Sequence, residues 1–208
     1  MKLEKGTLIA IARGVKSDKI AAIGETLLKA GLKYLEVSLS DETEGIKCIK
    51  ELNRQFGNDM NLGAGTVTRS DHVDRASEAG AKYIITPGWD KELAKYVIGK
   101  KIPLFPGVFT PSEIMQALNE GLTQLKLFPV GNLSDSYIKN IKGPFPTVEL
   151  IGVGGITKDN IRDYYKAGCF AFAIGSDLIP KKADESMLAQ IEKSAQKYVS
   201  IMKELCGK

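Results

Sequence analysis

The sequence predicts an α/β protein, a single-domain (β/α)8 TIM barrel over residues 1–208, and three observations carry that expectation. Eight short apolar, β-branched runs alternate with amphipathic helical patterns from end to end, without a linker or low-complexity stretch. Four of those patterns close on glycine, at Gly31, Gly80, Gly121 and Gly168, shortly before the next run. Glycine there supplies the left-handed residue that sends the chain back to a sheet. At 208 residues, with 43% hydrophobic and 26% charged side chains, the chain can build one core that needs neither disulfide nor structural metal.

Strands are predicted over 7–12, 34–38, 61–66, 83–86, 103–108, 124–128, 149–152 and 170–174. Helical patterns between them include 17–30, 43–56, 70–79, 110–120 and 157–167, several opened by a Ser or Thr able to cap the first free amides. Eight such units in parallel connection make a barrel, whereas an open doubly wound sheet usually has fewer strands and a dinucleotide fingerprint. GAGTV at 63–67 begins like that fingerprint but lacks its third glycine, and is read as a tight strand-to-helix turn.

Composition narrows the function classes. Lys and Arg number 29 against 25 Asp and Glu, a net charge of +4, yet no basic run exceeds the pairs Lys100-Lys101 and Lys181-Lys182. Such spread lysine is a solvated surface with no stripe for nucleic acid, and the mild excess suits an anionic small substrate. Cys48, Cys169 and Cys206 are far apart and in no C-x-x-C pair, which argues for a reducing compartment and inert thiols. The apolar stretch 7–12 is too short for a signal peptide, and nothing reaches a membrane span, so a cytoplasmic protein with no membrane partner is expected.

Barrels of this kind place chemistry at the C-terminal ends of their strands. Those ends offer Arg13, Glu36 with Ser38 and Ser40, Thr66, Pro87-Gly88-Trp89, Pro106-Gly107 with Phe109, Lys126 with Phe128, Val153-Gly154-Gly155, and Gly175-Ser176. Lys126 puts an ammonium inside the apolar strand LKLFP, where it must pair, snorkel or lose its charge. As a functional group it is a Schiff-base nucleophile; as a structural one it is a strand-end lysine reaching solvent. Glu36, between Leu35 and Val37, is equally out of place and is either an ordinary ion-pair partner or a general acid-base residue serving that lysine. Gly154, Gly155, Gly175 and Ser176 fit a phosphate held by backbone amides, a helix N-terminus capped by Thr157 and one hydroxyl, or else simply make tight turns. Trp89 is a packing anchor or a cover for the site. The single histidine, His72, lies in a polar helical stretch and is expected at the surface. One histidine does not supply a metal-dependent aldolase with several histidine ligands, nor an acyl-transfer triad.

LEVSL, GAGTV, ITPG, FPGVFTPSE, LKLFP, KGPFP, VGGI and IGS occur in the order and spacing of one family. From about residue 7 to 180 the chain resembles the 2-keto-3-deoxy-6-phosphogluconate (KDPG) and 4-hydroxy-2-oxoglutarate (KHG) aldolases. The resemblance implies a class I aldolase that uses no cofactor, is a homotrimer, and splits a phosphorylated keto acid into pyruvate and glyceraldehyde 3-phosphate. It implies Lys126 as the Schiff-base lysine, Glu36 as the proton shuttle and Thr66 as a pyruvate-carboxylate ligand. Pro87 and Phe128 correspond to apolar walls, and Gly154, Gly155 and Ser176 to phosphate contacts. Two positions depart from the pattern. Ser40 stands where many relatives carry a carboxylate-binding arginine, a role Arg13 of IARG is expected to take. Val153 stands where KDPG aldolases commonly have Thr, and with Ser176-Asp177 after Gly175 it looks more like aldolases for the galactonate epimer. A non-catalytic sugar-phosphate-binding barrel is the alternative from another class.

Overall fold

The apolar runs become strands and most intervening segments helices in the computed structural model, which describes residues 1–207. In chain order these are β1 (Leu8–Ala12), α1 (Ile20–Lys29), β2 (Tyr34–Ser38), α2 (Glu42–Phe56), β3 (Asn61–Gly65), α3 (Ser70–Ala79), β4 (Tyr83–Ile85) and α4 (Lys91–Gly99). There follow β5 (Leu104–Phe105), β6 (Gly107–Val108), α5 (Pro111–Asn119), β7 (Gln124–Leu127), α6 (Asp135–Lys142), β8 (Glu149–Val153), α7 (Ile161–Ala167), β9 (Ala171–Ile174) and α8 (Leu188–Cys206).

All strands pair in parallel, in the order β5-β4-β3-β2-β1-β9-β8-β7-β6. The two edges, β5 and β6, are halves of the fifth predicted strand, separated by Pro106. Proline has no N–H to give to a ladder, so the strand breaks there: its first half pairs with β4 and its second with β7. The chain itself thus joins the sheet's edges and closes the barrel. Pro106 still accepts a bond from the Lys126 amide at 2.9 Å.

Period-2 alternation sorts the strand residues into two cores. Ile9, Ile11, Tyr83, Ile85, Phe105, Ile151, Val153, Ala171 and Ala173 fill the barrel interior. The strand residues of opposite parity, among them Ala10, Leu35, Val37, Leu62, Leu125, Leu127 and Phe172, pack outward under the helices. In β2 the odd-one-out Glu36 therefore lies on the inward set between Leu35 and Val37, and in β7 so does Lys126 between Leu125 and Leu127.

The helices extend and correct the sequence reading. Helices α4, α6 and α8 add to the five named patterns. Gly31, Gly80, Gly121 and Gly168 all have positive φ, as their turns require. Of the expected Ser and Thr caps, Thr110 forms a full capping box with Glu113, but Asp41 rather than Thr43 caps α2. Thr157 does not cap α7, which starts only at Ile161. No described helix is long and apolar enough to cross a membrane.

Candidate active site

Glu36 and Lys126 are 1% and 5% exposed, inside the barrel at the end where the strands finish. Neighbouring strands make room for them. Gly65 lies beside Glu36 on β3, and a Cβ there would overlap the carboxylate, so the absence of a side chain at 65 is what lets the one at 36 lie flat against the wall. The Lys126 Nζ sits 4.9 Å from the centre of the Phe128 ring, whose negative face favours a cation.

Burial dominates the electrostatics of this pair. It raises the Glu36 carboxyl above its ordinary range, against the opposing charges of Lys126 and Arg13. It lowers the Lys126 ammonium, against Glu36, with Arg13 adding to the lowering. Both groups are thereby moved toward their uncharged forms, an amine with a free lone pair and a carboxylic acid with a proton to give. Glu36 Oε2 has no protein hydrogen-bond partner among the described residues. A buried carboxyl oxygen left open in this way is costly unless something else uses it.

Phe128 also lines a cavity of about 420 Å³, of whose wall Glu36 and Lys126 are not part. Seven of the expected site residues line it: Arg13, Phe128, Val153, Gly154, Gly155, Gly175 and Ser176. Gly154 and Gly155 both have positive φ, and Gly155 packs against Gly131 so closely that a Cβ would meet its Cα at 3.0 Å. The helix expected to present its N-terminus here is displaced along the chain, so on this side the cavity is lined by loop residues and Ser176. Lys181 also lines the cavity. Sequence reasoning treated it as half of a surface pair; its place just after the last barrel strand was the available signal.

Thr66 and Pro87 stand outside that wall. Thr66 has φ of 61°, unusual for a β-branched residue, and its Oγ1 lies 3.0 Å from Ser38 Oγ, which in turn lies 2.7 Å from Ser40 Oγ. Three hydroxyls thus gather at the ends of β2 and β3, where the family pattern has an arginine. Pro87 is exposed, its carbonyl packed on Gly107. Trp89 is half-buried against the outer core, its Nε1 donating to Gln116 Oε1 at 3.0 Å, and takes no part in the cavity wall. Burial pushes the thiols of Cys48 and Cys169 up to about 12, in keeping with inert cysteines.

His72 is not at the surface: it is 5% exposed. With Ala76 and Ala79 it occupies the buried face of α3, at spacings of four and seven. Its Nδ1 accepts from the Thr68 amide at 3.4 Å and its Nε2 faces Glu42 Oε2 at 3.4 Å. Glu42, Asp71 and His72 are close enough to share a metal ion. Arg69 bridges both carboxylates and Arg75 also pairs with Glu42, so two guanidinium charges already balance the cluster.

Comparison with known proteins bears on the whole arrangement. The family model described as KDPG and KHG aldolase matches residues 1–194. The chain is 31% identical over 197 residues to the 2-dehydro-3-deoxy-6-phosphogalactonate aldolase of Escherichia coli K12, covering 94% of this chain and 93% of that one. It is 32% identical over 176 residues to the 2-dehydro-3-deoxy-phosphogluconate aldolase of Pseudomonas aeruginosa, covering 84% and 79%. Among solved structures, the KDPG aldolase of Legionella pneumophila, with pyruvate captured as a covalent carbinolamine, superposes with a TM-score of 0.81 at 27% identity, over 96% of this chain and 93% of that one. A match along nearly the full chain, on a barrel whose interior holds a buried lysine and a buried glutamate, places this protein in the KDPG and KHG aldolase family, as an aldolase.

Proposed function

We propose that this protein is a class I aldolase that cleaves 2-keto-3-deoxy-6-phosphogluconate to pyruvate and glyceraldehyde 3-phosphate, with 4-hydroxy-2-oxoglutarate as a further substrate. The observation that carries the reading is the pair Glu36 and Lys126, buried together and moved in opposite directions toward neutrality. The free amine of Lys126 attacks the C2 carbonyl, and Glu36 gives the proton with which the carbinolamine loses water. In the resulting iminium, Glu36 takes the proton of the C4 hydroxyl while the C3–C4 bond breaks, its electrons entering the imine as an enamine and the aldehyde leaving. Protonation at C3 and hydrolysis release pyruvate and restore the amine. The Phe128 face stabilises the positive nitrogen on the way.

Around this centre, Thr66 binds the pyruvate carboxylate, with Ser38 and Ser40 orienting its hydroxyl. Arg13 supplies the charge that Ser40 lacks; its effect on both Glu36 and Lys126 supports that position. Phe128 is an apolar wall of the cavity, and Pro87, outside that cavity, an apolar wall on the pyruvate side. Gly154, Gly155, Gly175 and Ser176 hold the phosphate, with Lys181 at its outer side. Val153, inward on β8 and 3% exposed, favours acceptance of the galactonate epimer as well, because no hydroxyl stands there to select against it. Incubation with pyruvate and borohydride, followed by peptide mass analysis, tests the reading: a three-carbon adduct on Lys126 supports it, and no adduct anywhere makes the protein a sugar-phosphate-binding barrel instead.

A further inference from the structure

Directly after Ser176, at the edge of the phosphate-side cavity, stands a carboxylate, Asp177. Left free, a negative charge one residue from a phosphate contact would repel the dianion that the neighbouring amides attract. Asp177, its side chain 32% exposed, is instead held by three side chains. Its carboxylate accepts from the Tyr198 hydroxyl at 2.5 Å and from Lys158 Nζ. Its carbonyl accepts from Ser194 Oγ at 3.1 Å and again from Lys158 Nζ at 3.2 Å.

These partners come from separate elements. Tyr198 is wholly buried on α8 and Ser194 lies one turn before it, while Lys158 sits on the loop that begins with Gly154 and Gly155. The Lys158 ammonium also lies 5.0 Å from the centre of the Tyr198 ring. One residue therefore ties both glycine-bearing loops to a rigid helix, and a lysine cancels its charge. Burial first, then the hydrogen bond to Asp177 and after it the Asp177 charge, raise the Tyr198 phenol, so it remains a donor.

We propose that Lys158 and Tyr198 are positioning residues of the phosphate end: they hold and neutralise Asp177 so that Ser176 and the two glycine loops keep one geometry toward a terminal phosphate. The proposal rests on the aldolase reading above for the identity of the substrate, but not for the binding it predicts. Neither residue touches the reacting carbons, so their loss should act on phosphorylated substrates and spare unphosphorylated ones.

The test compares the full-length parent with Tyr198→Phe, Lys158→Met and the double variant Lys158→Met/Asp177→Asn. Binding is probed with inorganic phosphate by calorimetry, and kinetics with 2-keto-3-deoxy-6-phosphogluconate and 4-hydroxy-2-oxoglutarate. Phosphate affinity is expected to fall about threefold in Tyr198→Phe and about tenfold in Lys158→Met, the scale of one neutral and one part-exposed charged hydrogen bond. KM for the phosphorylated substrate should rise by the same factors with kcat held, and both constants for 4-hydroxy-2-oxoglutarate should stay put. The double variant should recover most of the phosphate affinity, since the uncompensated carboxylate leaves with its partner; a purely structural loss would deepen instead. Equal losses on both substrates, unchanged phosphate affinity in the single variants, no recovery in the double, or a parent that binds no phosphate would each overturn the proposal. Failure of the aldolase reading shows separately, as a parent that forms no borohydride adduct with pyruvate, and the phosphate titration still judges the clamp.

Discussion

The end of the mouth proposed to react is built from side chains of strands, Glu36 on β2 and Lys126 on β7, whereas the cavity proposed to take the phosphate is lined in large part by loop residues, Gly154, Gly155 and Gly175 among them. The difference follows from what each end must do. Shifting a carboxyl and an amine toward neutrality takes burial, and only the barrel interior, shielded on all sides, provides it. Binding a phosphate takes several donors at once at the surface, and backbone amides supply them wherever glycine lets the chain come close. The two ends should accordingly fail in different ways when altered, one in rate and the other in affinity.

Lys126→Ala is expected to remove turnover and the borohydride adduct altogether, because among the described residues no other lysine is buried. Residual adduct formation in that variant would move the nucleophile elsewhere. Glu36→Gln comes next, with an expected loss of about 10² to 10⁴ in kcat and in pyruvate methyl-proton exchange, the usual range for general acid-base catalysis. It also has a signed consequence for pH. The Glu36 charge raises the Lys126 pKa, so its removal should move the midpoint of pyruvate trapping to lower pH than in the parent, itself below the ordinary lysine range. Exchange at the parent rate, or a midpoint that moves up, contradicts the assignment.

Arg13→Ala separates the two ends more finely. Arg13 lowers the Lys126 pKa, so the trapping midpoint should rise, opposite to Glu36→Gln. If Arg13 carries the pyruvate carboxylate, KM for pyruvate in proton exchange should rise about tenfold, a value discounted for the exposure of the guanidinium. A KM that changes only for phosphorylated substrates would reassign Arg13 to the cavity it lines.

The strand side chains were the legible part of this site, for a physical reason. A charge inside an apolar, alternating run conflicts with its local pattern, and Glu36 and Lys126 announce themselves by that conflict. The glycine loops were legible as motifs, though the helix expected behind Gly155 begins later than Thr157 because Asn160 Oδ1 accepts the Thr157 amide and turns the chain first. His72 was misplaced because its polar neighbours Ser70, Asp71 and Asp74 masked the helical period that puts it on the face of Ala76 and Ala79. The break at Pro106 lay inside a predicted strand and could have been read from the missing N–H. What no local pattern could supply is the convergence of Lys158, Ser194 and Tyr198 on Asp177, since helix α8 returns there only once the barrel has closed.

Val153→Thr probes the boundary between the two ends and should give the smallest effect. Val153 is the last residue of β8, faces inward, pairs in register with Ala173 and lines the cavity together with Phe128 and Gly154. A substrate bound to Lys126 with its phosphate among the glycines must pass its C4 hydroxyl near this side chain. Thr is nearly isosteric with Val, so the packing change is small, but its hydroxyl in a 3% exposed position must find a partner or pay for its burial. A substrate hydroxyl of the right configuration provides that partner, and the wrong epimer leaves it unmet. One neutral hydrogen bond contributes about 0.5–1.5 kcal/mol, so the ratio of specificity constants should move toward the gluconate epimer by roughly twofold to tenfold. The parent itself is expected to cleave both phosphorylated epimers, because the remaining contacts are common to them. Measuring kcat/KM for both epimers in both proteins decides the matter: strict selectivity in the parent that Val153→Thr leaves unmoved would place discrimination at another residue, with the Ser38, Ser40 and Thr66 hydroxyls the next to be tested.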